Sequence, residues 1–544
     1  MRILVFHGYL LGGTGSNVYN ARLAAAFVKQ GHDVHLLCQD RHPERQPFVD
    51  AAGDWDTGAL EVRELRSAGG AGGNRDGDFS APATSVGRAG GRCTVYRPNI
   101  GDLLPVYVAD RYEGIEARTF ADCTEAEVAA YIEANVAAVR ELVERLSPDL
   151  ALANHLVMGP VIVARALGGE VPYAVKVHGS ALEYTVKPNP ERFLGFAREG
   201  VAGAKGILVG SHHTAASLWR TLEDPAVELR TRLGPPGVDV ERFVPREPRQ
   251  AGAAVEALAE RLQQVAAPDT ASAGGDAFAR DERAAGRALA RLHPQEDRLV
   301  AFVGKLIVSK GVDLMLAAWP LVLERVPEAK LVVIGFGAYR DAFERLCDAL
   351  AAGDIAQARE IALAGRSLEG EVGAAKPLSH LLAFLDRLSG ERRERYLAAS
   401  GPLSERVVLT GRLDHDELAD LLPACEALVV PSTFPEAFGM VAAEAAACGV
   451  LPLSAAHSGL AEVSEELAQA VPESIAPLLS FPVDEDSVPA IAQRLIGWLE
   501  APPAIREQTR AGLVETVRER WSWDGVARGV IAAARGELDG LQRP

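Results

Sequence analysis

Short apolar runs alternate with helix-forming segments at both ends of this 544-residue chain, and this alternation limits the fold more than any other feature. Near the N-terminus the strand pattern RILVF leads through the glycine-rich loop GYLLGGTGS to a helix predicted over about 17–30, and then to the strand pattern DVHLLC. Alternation of this kind builds parallel sheets that are covered by helices on both faces. The chain is also longer than one core usually supports. The sequence therefore predicts two doubly wound, Rossmann-like α/β domains that face a cleft.

The segment 431–449, PSTFPEAFGMVAAEAAACG, carries two carboxylates across a predicted loop and helix start. The apolar run ALVV before it predicts a buried strand, and MVAAEAAAC is a strong helix former that is closed by a glycine. Glu444 is expected roughly 10 Å along this helix from Glu436, which is comparable to the distance from a sugar across a diphosphate to a ribose. The spacing therefore suits an elongated ligand.

The first amides of this helix have no partner within the helix and carry the positive end of its dipole. Phe438, Gly439 and Met440 are therefore predicted to donate hydrogen bonds to a phosphate group. Taken alone, the same residues also fit a solvated Glu444 and a Glu436 that only complements the helix dipole.

The string EAFGMVAAE resembles the signature of family 4 glycosyltransferases, which is a Glu, seven residues and a second Glu, with Phe-Gly between them. A second family feature, a Gly with a basic residue and then Lys-Gly, reads Gly304, Lys305, Lys310 and Gly311 here. The resemblance covers the chain apart from three insertions. It implies a retaining GT-B enzyme that moves a hexosyl group from a nucleoside-diphosphate sugar to an acceptor hydroxyl, by same-face attack and without a metal or another cofactor.

The resemblance also assigns roles to individual residues. The two lysines would stabilise the leaving diphosphate. Many members have Arg where this chain has Lys305, so a single ammonium charge replaces a guanidinium that can donate two parallel hydrogen bonds. The implied catalytic residues are His178, Lys305, Lys310 and Glu436. The implied donor-binding residues are Gly13, Gly15, Gly304, Gly335, Gly337, Arg412, Leu413, Phe438, Gly439, Met440 and Glu444. A later family loop departs from the pattern, because His457-Ser458-Gly459 and Glu462 stand where paired glycines and a Glu are common.

The segment TGSNVYNARLAAAF is similar to the start of transferases that attach N-acetylglucosamine to inositol phosphate. That likeness places Asn17 at the acceptor site, and the candidate acceptor contacts are Asn17, His155, Ser180, Tyr184 and Lys187. Lys187 could bind an acceptor phosphate. It could equally be a solvated loop lysine, and Tyr184 could equally be an aromatic residue that only packs. The segment VYVADRYEG is unlike those enzymes, so the acceptor stays open among a sugar, a polyol and a lipid-linked molecule, with a UDP- or GDP-sugar as donor.

Composition and the resemblance together predict the domain boundaries. A Gly-, Ala- and Arg-rich stretch without periodicity predicts a mobile surface insertion. The first predicted division is an acceptor-binding domain over 1–244, with that insertion at about 67–92, and an interdomain linker insertion follows over 245–296. The next is a nucleotide-sugar-binding domain over 297–520, with a helical insertion at about 340–403. The last is a terminal helix over 521–544 that crosses back to the first domain.

The formal net charge of −18 argues against a nucleic-acid partner. The six cysteines lack metal-binding spacing and predict reduced thiols. No apolar run reaches the roughly 18 residues of a transmembrane helix, and no signal peptide is recognised, so the sequence predicts a cytoplasmic protein, with a homodimer left open.

Three other functions compete with the glycosyltransferase interpretation. A nicotinamide enzyme is disfavoured because the turn Gly12-Gly13-Thr14-Gly15 lacks the GxGxxG spacing. A nucleotide-sugar 2-epimerase also uses two Rossmann-like domains but needs acid and base carboxylates near the sugar in the first domain. A non-catalytic nucleotide-sugar-binding protein would keep the pocket and lose turnover.

Overall fold

The computed structural model describes residues 1–13, 15–65, 90–108, 115–265, 280–370 and 376–544. The predicted insertion at 67–92 lies almost entirely outside the described residues, and so does Thr14. Within these ranges the strands form a nine-stranded sheet, a six-stranded sheet and a separate two-stranded pair.

The first sheet is built from the N-terminal part of the chain. Up to residue 233 the strands are β1 Arg2–Phe6, β2 Asp33–Leu37, β3 Ala51–Asp54, β4 Glu61–Glu64, β5 Cys93–Arg97, β6 Leu103–Val106, β7 Glu116–Thr119, β8 Leu150–Asn154, β9 Tyr173–Val177, β10 Gly206–Val209 and β11 Thr231–Leu233. The sheet order is β11-β10-β9-β8-β1-β2-β5-β3-β4, with β3 and β4 antiparallel and the other neighbours parallel, while β6 and β7 form the separate pair. The helices of this part are α1 Gly15–Lys29, α2 Glu125–Leu146, α3 Gly159–Leu167, α4 Pro190–Ala202, α5 His212–Leu222 and α6 Pro225–Arg230.

The second sheet is parallel and has the order β14-β13-β12-β15-β16-β17. Its strands are β12 Arg298–Val303, β13 Ala329–Ile334, β14 Val407–Gly411, β15 Ala427–Val430, β16 Leu451–Ala455 and β17 Ser480–Phe481. The helices after α6 are α7 Pro248–Gln264, α8 Glu282–Leu289, α9 Val312–Leu323, α10 Arg340–Ala351, α11 Ile355–Ala364, α12 Ser379–Asp386, α13 Gly390–Ser400, α14 Leu403–Arg406, α15 His415–Leu421, α16 Met440–Ala447, α17 Ser458–Ala468, α18 Ser487–Leu499, α19 Pro503–Arg520 and α20 Trp523–Arg535.

Local sequence signals set several of these boundaries. The hydroxyl of Thr124 accepts a hydrogen bond from the amide of Glu127, whose carboxylate in turn accepts from the amide of Thr124, so a capping box starts α2. The central strands β1, β8, β9, β12 and β13 are almost entirely buried, as expected for a parallel sheet that helices cover on both faces. The predicted GT-B class, with two such sheets, is confirmed.

The stretch 245–296, predicted as an interdomain linker insertion, contains helices α7 and α8. Helices α7 and α8 pack against each other, and α7 also contacts α15 while α8 contacts β14. Val255, Leu258 and Leu289 are buried in the same core as the second sheet. The apolar positions of both helices account for this packing, because they bury a stripe against the second domain.

The last helix lies on the first sheet, although it follows the second sheet in sequence. Helix α20 contacts α1 and strands β8, β9 and β10. Val530 and Ala534 are buried in the core that holds β1 and α1. None of the helices in the described ranges is long and apolar enough to cross a membrane, and all six cysteines are free and buried.

Candidate active site

A cleft of about 1790 Å³ lies between the two sheets and receives side chains from both. In parallel α/β sheets, ligands bind beyond the carboxyl ends of the strands, and the loops after β1, β9, β12 and β15 line this cleft. The predicted site residues that line it are Gly13, Gly15, His178, Ser180, Tyr184, Gly304, Lys305, Lys310, Gly335, Arg412, Leu413, Glu436, Phe438, Gly439, Met440 and Glu444.

Lys310 and Glu436 form an ion pair at the centre of the second domain's wall. The same Glu436 oxygen accepts a hydrogen bond from the hydroxyl of Ser432 at 2.7 Å. Gly311 directly after the lysine has a φ of 65°, and a Cβ there would overlap the carbonyl oxygen of Pro431. The tight approach of these two loops therefore requires glycine and holds Lys310 beside Glu436.

A second cationic group lies at the end of β12. The ammonium of Lys305 and the guanidinium of Arg412 each lie 5.9 Å from the ring centroid of Phe336. Such cation–π contacts stabilise the cations without neutralising them. The ends of β12, β13 and β14 therefore present positive charge to the cleft.

Helix α16 begins at Met440, and Gly439 is its N-cap residue without a side-chain cap. Gly439, Met440 and Val441 line the cleft, and the first amides of a helix have no partner within it. Glu444, one turn further on, is only 3% exposed, and its Oε1 lies 2.7 Å from His415 Nε2. The structure thus places Glu444 in a buried polar contact rather than on a solvated helix face.

His178 lies at the end of β9 and faces the cleft from the first domain. Its Nε2–H donates to Asn154 Oδ1 at 2.8 Å, and its ring contacts those of Tyr19 and His155 with centroids 4.9 Å apart. Burial, together with the nearby His155 and Lys176, lowers the pKa of His178 well below 6.5. The imidazole is therefore neutral at pH 7 and presents a polar edge without charge.

Lys176 is two residues earlier on the same strand and lines the same cleft. It is 2% exposed, donates to the carbonyl of Gly234 and lies 5.3 Å from the centroid of Tyr19. Burial lowers the pKa of Lys176 to about 7. Sequence reasoning did not select this residue, since a lysine inside a strand gives no local signal of burial.

Four predicted contacts do not line the cleft. Asn17 is buried and held by His7 at 2.9 Å and by the carbonyl of Gly12 at 2.7 Å. His155 is buried behind His178, with a φ of 69°. Lys187 turns to Glu183 and Ser217, at 2.6 and 3.3 Å.

Gly337 is the fourth of these residues. Its backbone packs against the loop after β12, so that a Cβ would lie 2.4 Å from the carbonyl oxygen of Leu306. The structure therefore gives Gly337 a packing position, while its neighbour Gly335 lines the cleft.

Contacts across the cleft were largely missed by sequence reasoning. Tyr184 of the first domain stacks on Phe434 of the second, with centroids 4.9 Å apart and planes at 17°. The carboxylate of Glu462 accepts hydrogen bonds from the first two amides of α5, at 2.7 and 2.8 Å. The sequence named Glu462 only as a departure from the family loop, because nothing local connects it to a helix about 250 residues away.

No group of three or more His, Cys, Asp and Glu side chains in the described ranges has the arrangement of a metal site.

Comparison with known proteins gives matches to both domains. Residues 14–230 match the model of the glycosyl transferase 4-like domain, and residues 290–356 and 381–511 match the model of glycosyl transferases group 1.

The chain is 28% identical over 264 residues to a D-inositol 3-phosphate glycosyltransferase of Segniliparus rotundus, which covers 48% of this chain and 45% of that protein. It is 23% identical over 232 residues to a GDP-mannose-dependent monoacylated alpha-(1-6)-phosphatidylinositol monomannoside mannosyltransferase of Corynebacterium glutamicum, which covers 42% and 44%. The chain thus spans about half the length of the curated relatives that it matches.

Solved structures resemble the whole chain. The sucrose-phosphate synthase of Thermosynechococcus elongatus superposes with a TM-score of 0.56 at 18% identity, over 99% of both chains. The Anabaena protein HepE in complex with UDP superposes with a TM-score of 0.54 at 14% identity, over 99% of this chain and 100% of that one. These similarities and the cleft between two Rossmann-like sheets define the GT-B fold. Since the two family models together match most of its length, the chain belongs to family 4 of the glycosyltransferases.

Proposed function

We propose that the protein moves a hexosyl group from a nucleoside-diphosphate sugar to an acceptor hydroxyl, with retention of configuration at the anomeric carbon. The observation that carries this proposal is the single cleft wall on which Lys305, the Lys310–Glu436 pair, Glu444 and the start of α16 occur together. These groups suit a diphosphate that is flanked by a sugar on one side and a ribose on the other.

In the proposed assignment, residues 297–520 bind the donor and residues 1–244 bind the acceptor. Glu436 holds sugar hydroxyls and Glu444 accepts hydrogen bonds from the ribose. In this assignment the helical insertion at about 340–403 and the terminal helix over 521–544 stabilise these two domains.

The proposed reaction breaks the bond between the anomeric carbon and the diphosphate oxygen, while the acceptor oxygen attacks from the same face. A diphosphate oxygen takes the acceptor proton, so that no protein nucleophile is needed. Lys305, Lys310 and the first amides of α16 stabilise the charge that develops on the leaving diphosphate. His178, which is neutral, contacts the donor sugar and excludes water from the first-domain side.

The comparisons support a UDP- or GDP-sugar as donor, since HepE was crystallised with UDP and the Corynebacterium relative is described as GDP-mannose-dependent. The Segniliparus relative is described as a D-inositol 3-phosphate glycosyltransferase, which supports a polyol among the proposed acceptors. A sugar and a lipid-linked acceptor remain in the proposal beside it. Ser180 and Tyr184 line the cleft and are the proposed acceptor contacts.

The test mixes purified protein with UDP-, GDP-, ADP- and TDP-sugars, with and without a cell extract as acceptor source, and follows products by mass spectrometry. We expect release of one nucleoside diphosphate that rises with the extract and persists in EDTA. Lys310→Ala should lower turnover on the order of a hundredfold or more, because it removes a charge that acts on the leaving group. Glu444→Ala should instead weaken donor binding by roughly tenfold, as expected for a lost hydrogen bond to a charged group.

Three outcomes would contradict the proposal. Strict dependence on a metal would exclude the lysine-based site. Release of free nucleotide without an acceptor, with inversion at C2 of the sugar, would identify an epimerase. Saturable nucleotide-sugar binding with no product under any condition would favour a non-catalytic binding protein.

A further inference from the structure

Three side chains connect the first domain to the donor side of the cleft. Arg22 lies on α1 of the first domain, His415 is the first residue of α15, and Glu444 lies on α16. Arg22 Nη2 is 3.0 Å from His415 Nδ1, and His415 Nε2 is 2.7 Å from Glu444 Oε1. All three line the cleft, so the chain of contacts runs along its wall.

The chemistry of these groups fixes the proton positions. A guanidinium only donates hydrogen bonds, so His415 Nδ1 must accept from Arg22 through its lone pair. The ring proton then lies on Nε2 and is donated to Glu444. In this arrangement Arg22 satisfies Nδ1 and Glu444 satisfies Nε2, so the contact with Glu444 is coupled to a residue of the first domain.

Arg22 is itself held by residues that follow the first sheet and by α15. Its Nη1 donates to Asp239 Oδ2 at 3.1 Å, and its Nη2 also lies 3.3 Å from Asp416. Asp416 in turn pairs with Arg242 at 2.8 Å, and the ring of Phe243 packs on His415 with centroids 4.8 Å apart. The imidazole is therefore clamped on its Nδ1 side and on its face, which directs Nε2 at Glu444.

We propose that Arg22 and His415 are positioning residues that orient Glu444 toward the ribose hydroxyls, so that discrimination of the ribose depends on contact between the two domains. This inference rests on the proposed function, in which Glu444 receives the ribose. Arg22 needs no contact with the donor for this role, since it acts through His415.

Two substitutions of His415 separate the two halves of the connection. In His415→Gln the side-chain NH₂ can replace Nε2 and donate to Glu444, but no acceptor faces Arg22. In His415→Asn the side-chain oxygen can replace Nδ1 and accept from Arg22, but nothing reaches Glu444. Arg22→Met keeps the aliphatic part of the side chain and removes the donor from the other domain.

The experiment measures by calorimetry the dissociation constants of a nucleoside diphosphate and of its 2′-deoxy analogue, with UDP and dUDP or GDP and dGDP as the probes. In the wild type we expect the ribonucleotide to bind on the order of tenfold more tightly, because the deoxy analogue lacks one hydrogen bond to the Glu444 carboxylate. Arg22→Met and His415→Asn should bring this ratio close to one. In His415→Gln the ratio of the two dissociation constants should be intermediate. Combining Arg22→Met with His415→Gln should then change this ratio little.

Lys29→Met is the matched control, because Lys29 also lies on α1 and pairs with Glu241 at 2.7 Å without reaching His415. It should keep the wild-type ratio. A wild-type ratio in Arg22→Met, with the ribonucleotide still bound, would overturn the connection and leave the proposed function intact. If the wild type binds none of the ribonucleotides, the proposed function and the connection both fail.

Discussion

The buried Lys176 has a pKa far below that of an ordinary lysine. Burial lowers its pKa from 10.5 to about 7, so below pH 7 the folded protein must keep a charge in an environment that disfavours it. Between pH 7 and 10.5 the unfolded chain binds more protons than the folded chain, and stability therefore rises with pH across this window. The difference between the pKa values in the folded and unfolded chains corresponds to at most roughly 5 kcal/mol in the free energy of unfolding.

We therefore expect Lys176→Met to raise the thermal midpoint most at pH 6 to 7, with a gain that shrinks as the pH approaches 10.5. The measurement is the difference between variant and wild-type midpoints at a series of pH values. The exposed Lys205, in the turn before β10, offers the control Lys205→Met, for which no such trend is expected. A gain that stays constant with pH would show that the ammonium is not destabilising, and that packing alone changed.

At the scale of elements, Gly311 allows the loop after β12 to approach the loop after β15. Gly311 has a φ of 65° and directly faces the carbonyl oxygen of Pro431, whereas Gly353 has a φ of 72° and only an ordinary contact of 3.7 Å to Leu397. Alanine at position 353 carries the left-handed penalty alone, about 1–2 kcal/mol. Alanine at position 311 adds a steric overlap that separates the β12 and β15 loops and displaces Lys310.

We expect Gly311→Ala to lower the thermal midpoint more than Gly353→Ala and to reduce turnover severalfold or more, while Gly353→Ala leaves turnover unchanged. Differential scanning calorimetry and the nucleotide-release assay together test this expectation. Equal effects of the two substitutions on turnover would contradict a role for the loop geometry in placing Lys310.

The sequence predicted those elements whose signals are local. The alternation of strands and helices gave both sheets, and the strand, loop and helix around Glu436 formed as expected, with α16 starting at Met440. The packing of the stretch 245–296 on the second domain was not predicted, because the apolar stripe of a helix does not indicate which surface it will cover. His415 was missed for a similar reason, since its partners Arg22 and Glu444 are brought to it only by tertiary packing.

At the scale of the whole molecule, the two domains meet through a small number of specific contacts on the cleft wall. The carboxylate of Glu462 on α17 accepts hydrogen bonds from the first two amides of α5, where the helix dipole favours negative charge. Next to it, Gly210 of the first domain approaches the second so closely that a Cβ would lie 2.7 Å from the carbonyl oxygen of Ala437. The close approach of the two domains at this point therefore uses one carboxylate and leaves no room for a methyl group at position 210.

Glu462→Ala and Gly210→Ala should each weaken closure without disturbing either core, because the first removes an interdomain hydrogen-bond acceptor and the second inserts a methyl group between the domains. We expect a larger radius of gyration by small-angle X-ray scattering and a lower kcat, since closure brings donor and acceptor together and excludes water. The exposed Glu465 lies on the same helix as Glu462, so Glu465→Ala is the matched control and should match the wild type in both measurements. If both substitutions lowered kcat while the scattering curve stayed that of the wild type, these contacts would act on the chemistry locally, and closure would have to be held by other contacts such as the stacking of Tyr184 on Phe434.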